Sequence, residues 1–238
     1  MSAAAARPHR PGGPLASRPL HFIWLVDGSG SMRVQGRVEA VNEAIRAAVP
    51  HLQAVALENP QAAVFVNAIR FSDEAHWIID KLTPVADFQW PDLEAGGGSA
   101  MGEAIAIVGE ALQPPLIWGR ALPPMLVLIT DGLPTDDFRA GMSHLLSKAW
   151  GRRAARFVVA LGEEAAGKEA QEVLRAFVSK DAPPPLLARD PETLAGHIRW
   201  ICTAGLRSVC SPLAYRPVAA LENLPAPAAA AIGGTEPW

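Results

Sequence analysis

The sequence predicts an α/β fold: a doubly wound, mostly parallel sheet with one antiparallel edge strand and helices on both faces, in a Rossmann-like layout. Three observations predict it. Two short runs, His21–Val26 and Met125–Thr130, are continuously apolar, as strands buried on both faces must be. Around them, strand-like and helix-like patterns alternate, which implies right-handed crossovers onto a parallel sheet. The pair Ala62–Phe71 and Ala75–Asp80, separated by a short polar break at Ser72-Asp73, reads as a hairpin and so supplies the antiparallel edge.

The elements follow in order. After the first strand, Val38, Val41, Ile45, Val49, Leu52 and Val55 recur at helical spacing and predict an amphipathic helix. The hairpin comes next, then a Pro-containing loop into Gly96-Gly97-Gly98-Ser99, with a helix opening near Ala100. The strand Met125–Thr130 is followed by a helix across Asp136–Trp150, a strand Arg156–Leu161 and a helix over Lys168–Ser179. A short strand Leu186–Ala188 and a last helix from Glu192 complete the core. Residues 1–18 and 206–238, rich in Ala and Pro, are expected to be tails, and residues 19–205 the folded domain.

Composition narrows the function classes. Of 238 residues, 50% are apolar and 19% charged, the balance of a folded globular domain. A net charge of −3 leaves no basic footprint for nucleic acid. No stretch reaches the roughly 18 apolar residues of a membrane span. The run before Asp27 is too short for the core of a signal peptide, so a cytoplasmic location is expected. Cys202 and Cys210 are too few for a disulfide framework and too far apart for common zinc spacing; buried or idle thiols are expected. The run Arg152, Arg153, Arg156 is read as a solvated loop or helix end, and the scattered histidines as surface or satisfied core residues.

Three polar clusters fall at one edge of the expected sheet: Asp27-Gly-Ser-Gly-Ser31, Gly96-Gly-Gly-Ser99 and Thr130-Asp131-Gly132. Each alone suits an ordinary strand-to-helix turn, where Gly tolerates positive φ and Ser or Asp can cap a helix. Together, Asp27, Ser29, Ser31, Ser99 and Asp131 make an all-oxygen set with no His or Cys. Such a set suits a hard cation, Mg²⁺ before Mn²⁺ or Ca²⁺. Two carboxylates and neutral hydroxyls leave the ion able to attract one more anionic oxygen from outside.

Asp27-x-Ser29-x-Ser31, a later loop hydroxyl and a Thr-Asp-Gly resemble the metal-ion-dependent adhesion site of von Willebrand factor A (VWA) domains, over about residues 20–205. The resemblance implies that Ser29 and Ser31 ligate the metal directly, while Asp27 and Asp131 act largely through water or as carboxylates that support the ligands from behind. Ser99 stands where that family usually has Thr, which keeps the hydroxyl but loses the methyl that fixes its rotamer. It implies further that a partner protein supplies an Asp or Glu carboxylate. A narrower likeness is to the bacterial TerY-like branch, associated with tellurium resistance and stress. Its carriers are Asp27–Met32, Val41-Asn42, Gly96–Ala104, Leu128–Asp136 and Ile198-Arg-Trp-Ile201. That likeness implies an intracellular scaffold acting with a kinase and a phosphatase.

Enzyme templates fit less well. A haloacid-dehalogenase-like phosphatase needs a second Asp two residues after Asp27, where Ser29 stands. A nucleophile elbow needs Gly-x-Ser-x-Gly, but Ser99 is followed by Met101 at the second Gly, and Ser29 is flanked by Asp27 and Ser31. Gly28-Ser-Gly30 has Arg33 in place of the third Gly of a dinucleotide loop, and no Walker lysine follows. A Mg²⁺-dependent phosphoryl hydrolase using Asp27 is the alternative; a binding module without catalysis is the expectation. Trp77, Trp90 and Trp118 are read mainly as packing residues, with one or two at the rim of a binding face.

Overall fold

The computed structural model describes residues 17–114, 117 and 120–210. Most of both expected tails therefore lies outside the described residues, as does Trp118. The strands are β1 (Arg18–Asp27), β2 (Ala62–Phe71), β3 (Ala75–Pro84), β4 (Met125–Thr130), β5 (Ala155–Leu161) and β6 (Leu186–Ala188). They form one six-stranded sheet in the order β3-β2-β1-β4-β5-β6. Every pairing is parallel except β2 with β3, so the antiparallel strand is at the edge, as the hairpin pattern predicts.

The helices are α1 (Arg37–Glu58), α2 (Met101–Ala111), α3 (Phe138–Ser147), α4 (Ala149–Arg153), α5 (Lys168–Phe177), α6 (Pro191–Trp200) and α7 (Leu206–Cys210). Alternation along β1 divides the interior in two. Leu20, Phe22, Trp24 and Val26 pack with Val41, Ile45 and Leu52 of α1 and with Leu194 and Ile198 of α6. Ile23 and Leu25 face the other way, onto Met101, Ile105 and Val108 of α2 and Met142 and Leu145 of α3. A sheet covered on both faces explains why β1 from Phe22 to Val26 and β4 from Met125 to Ile129 are apolar without a break.

Two features depart from the sequence reading. The expected single helix over Asp136–Trp150 is broken at Lys148, whose backbone is extended at φ −83° and ψ 140°. There the chain doubles back: Arg152 donates to the carbonyls of Leu146 and Ser147, the free end of α3, and a Cβ on Gly151 would lie 2.0 Å from the Leu145 carbonyl oxygen. Helical order also runs past residue 205, and Leu206, Val209 and Cys210 are buried, so the core extends beyond the boundary expected there. A π-helical turn, Ile201–Gly205, joins α6 to α7. As the spacing of Val49, Leu52 and Val55 predicts, α1 continues through Pro50, on its solvent side, at the loss of one ladder hydrogen bond.

Strand order reverses between β1 and β4, because the chain passes from β1 to β2 on one side and returns to β4 on the other. The carboxyl ends of these two strands therefore open a crevice, where ligands of such sheets bind. Asp27 ends β1, and Asp131 directly follows β4.

Candidate metal centre

Asp27 is 1% exposed, yet both its oxygens are engaged. Oδ1 accepts from the Ser29 backbone N–H at 2.8 Å, which folds the loop back over the strand end. Oδ2 accepts from Thr130 Oγ1 at 2.6 Å and from Ser99 Oγ at 3.3 Å. Burial, the largest effect, raises its carboxyl above the ordinary carboxylate range; the bonds from Thr130 and Ser29 oppose this and the nearby Asp131 charge adds to it.

A second line of contacts leads outward. The Ser29 and Ser31 hydroxyls are 2.9 Å apart, and Ser31 Oγ donates to Asp131 Oδ1 at 2.8 Å. Asp131 Oδ2 accepts from Arg37 at 3.0 Å, and the other arm of the same guanidinium donates to Glu164 at 2.9 Å. The residues expected to hold a metal thus meet around one cleft of about 240 Å³, which Arg37, Glu164, Val34 and Leu133 also line. All five candidates are brought together.

Neighbouring loops hold the cluster in place. Gly30 N–H donates to the Gly97 carbonyl at 2.8 Å and Gly96 N–H to the Gly28 carbonyl at 2.7 Å, so the first two loops pair directly. Gly97 has φ +83°, and a Cβ there would lie 2.4 Å from Asp73, whose carboxylate accepts from Gly98 N–H. Ser99 is clamped by Thr135: its N–H donates to Thr135 Oγ1 at 2.9 Å while Thr135 N–H donates to the Ser99 carbonyl at 2.9 Å. Asp136 then caps α2 by accepting from Gly102 and Glu103 N–H. Asn42 of α1 anchors the approach to the glycine loop through Trp90 Nε1 and both backbone groups of Leu93.

The sequence reading missed Arg37, Glu164, Thr135 and the part played by Thr130. Thr130 and Thr135 belong to the quoted stretch Leu128–Asp136, so their position was a usable signal. No local pattern marks Arg37 or Glu164, which meet across 127 residues.

No family model and no curated protein matches the sequence. Solved structures do. A von Willebrand factor type A protein from Catenulispora acidiphila superposes with a TM-score of 0.58 at 20% identity, over 78% of this chain and 42% of that one. The ArnB paralog VWA2 from Sulfolobus acidocaldarius gives 0.54 at 16% identity, over 77% and 45%. The PilB minor pilin from Streptococcus sanguinis gives 0.59 at 15% identity, over 84% and 64%. The fold is that of a VWA domain. This chain spans less than half the length of the first two of these proteins.

The remaining polar residues are mostly structural. Among the described residues, no three His, Cys, Asp or Glu side chains are grouped to hold a metal, so a cation here would depend on hydroxyls. Cys202 and Cys210 are free and buried; burial raises both thiols, Cys210 to about 12, which keeps them protonated and inert. Trp90 packs in the core beside α1, and Trp77 packs, partly buried, against the opposite core. Arg156 departs from the expected solvated end: it is buried and donates to the carbonyls of Phe177, Gly151 and Ala154. His197 is buried and paired with the Leu187 carbonyl. His21 is buried with neither ring nitrogen partnered among the described residues, contrary to the expectation of satisfied core histidines.

No described helix is long and apolar enough to cross a membrane.

Proposed function

We propose that this VWA domain binds one divalent cation, Mg²⁺ by preference, and uses it to grip an acidic side chain of a partner protein. The observation that carries the proposal is the convergence of Ser29, Ser31, Ser99, Asp27 and Asp131, from three loops, on one cleft. The 2.9 Å between the Ser29 and Ser31 hydroxyls is also about the edge of an oxygen octahedron with Mg²⁺ bonds of about 2.1 Å. The longer bonds of Ca²⁺ call for wider spacing. Ser29, Ser31 and Ser99 would offer hydroxyls, with Asp27 and Asp131 holding them and the ion's waters. A bound cation would supply a positive charge facing solvent. Because Arg37 already offsets Asp131, the protein leaves that charge under-neutralised and open to an outside carboxylate.

A binding role fits better than hydrolysis through Asp27. Both its oxygens already accept hydrogen bonds inside the protein, which leaves little of the carboxylate free to attack a phosphorus atom. The finer reading keeps the TerY-like likeness: a cytoplasmic scaffold in a bacterial stress system, with a kinase and a phosphatase as partners.

Calorimetric titration of the purified protein with Mg²⁺ tests the core of the proposal. One bound ion is expected, abolished by Ser29→Ala; no heat of binding in the unmodified protein overturns it. Capture of a purified candidate kinase or phosphatase in Mg²⁺ but not in EDTA tests the partner, and equal capture in both would count against a metal-dependent grip.

A further inference from the structure

We propose that Glu164 is an internal stand-in for the partner's acidic side chain, resting on Arg37 until that side chain displaces it. This deepens the metal-dependent grip proposed above and rests on it. Arg37 is 2% exposed, so its charge must be met by an anion at all times. One arm of the guanidinium is held by Asp131, itself 2% exposed and also bonded to Ser31. The other arm is met by Glu164, which is 64% exposed. The guanidinium Nε has no acceptor among the described residues.

The two carboxylates are therefore unequal. Asp131 cannot leave without stranding one arm of the buried Arg37 guanidinium and releasing the Ser31 hydroxyl. Glu164 stands on a single 3₁₀ turn, Glu164–Ala166, and its one side-chain partner among the described residues is Arg37. Because the Glu164 side of this pair is solvated, parting it costs little, provided another carboxylate takes its place on the buried guanidinium. Asp131 offers one oxygen to Ser31 and the other to Arg37, so the cation site and the guanidinium lie at opposite ends of one carboxylate. An acidic side chain entering the cleft meets both positive groups, and Glu164 is what it replaces. Val34 and Leu133, 47% and 39% exposed, line the same cleft, so the partner segment carries its acidic residue beside an apolar one.

The test is Mn²⁺ binding followed by electron paramagnetic resonance, in sodium acetate against sodium chloride at equal ionic strength. Acetate offers the carboxylate of Asp and Glu without a partner protein. In the unmodified chain acetate should tighten Mn²⁺ binding. In Glu164→Gln the acetate concentration for half this effect should fall about fivefold, since the internal competitor is gone. In Arg37→Gln, Mn²⁺ should bind more tightly without acetate, and the acetate effect should shrink. Glu164→Ala, at an exposed position, repeats the main arm if Arg37→Gln does not fold. An acetate response in Glu164→Gln and Glu164→Ala equal to that of the unmodified chain overturns the stand-in role. If Mn²⁺ still binds there and is lost in Ser29→Ala, the metal grip survives alone; no Mn²⁺ binding in the unmodified chain sinks both.

Discussion

Thr130 Oγ1 lies 2.6 Å from Asp27 Oδ2, joining the last residue of β4 to the last residue of β1 where the strand order reverses. Thr130 is fully buried, so Asp27 cannot draw a replacement donor from solvent at this position. Thr130→Val keeps the volume and removes the donor. It should cost about 2 kcal/mol, the range for losing a hydrogen bond to a buried charged group. Thr130→Ser should restore most of it. The midpoint of urea unfolding at constant slope measures both, and equal midpoints for Val and the native Thr would refute the assignment.

A second prediction concerns the turn into α1. Gln35 has φ 52°, a left-handed conformation that costs a side-chain-bearing residue about 1–2 kcal/mol, and Gly36 follows at φ 69°. Gln35 is exposed. Gln35→Gly relieves the strain but adds freedom to the unfolded chain, leaving a net stabilisation of up to about 1 kcal/mol. In a domain of this size the melting temperature should rise by up to about 2–4 °C. A fall in melting temperature would mean that the Gln35 side chain supports the loop.

What the sequence made readable was whatever depends on local pattern. The apolar runs of β1 and β4 report burial on both faces, and Asp27 and Asp131 follow from being adjacent to those runs. Ser99 was readable because it ends a glycine loop before a helix. Arg37 and Glu164 were not, since their meaning arises only when α1 and the turn after β5 come together at the crevice. The break at Lys148 was hidden because Ala149–Arg153 is itself helical, and one extended residue, with the fold-back at Gly151, separates it from α3. That His21 finds no partner among the described residues likewise comes from tertiary packing, which no spacing records.

His21 carries the pH prediction. Burial lowers its imidazole from 6.5 to about 4, and its ring stacks on Phe65 across the strand pair. Between these values the unfolded chain takes up a proton that the folded chain refuses. Stability is therefore complete above about pH 6.5 and falls as the pH drops toward 4, by about 3 kcal/mol in all. His21→Phe should flatten that part of the pH profile. Unfolding midpoints at pH 7.5, 5.5 and 4.5 measure the slope; the same slope in the variant would assign the acid sensitivity elsewhere.

Ser29→Ala separates a metal site from a well-made turn. The Ser29 backbone N–H, which bonds to Asp27, survives the substitution, and the lost hydroxyl lies 2.9 Å from Ser31 Oγ. Without added cation the variant should melt within about 1 kcal/mol of the native chain, the worth of one ordinary hydrogen bond. With Mg²⁺ at one hundred times the native Kd, the native chain should gain about 2.7 kcal/mol by mass action and the variant almost none. Thermal unfolding in Mg²⁺ and in EDTA provides the four measurements. If both proteins gain equally from Mg²⁺, the ion binds without this hydroxyl. If the variant is already unfolded in EDTA, the loop serves the fold before it serves a ligand.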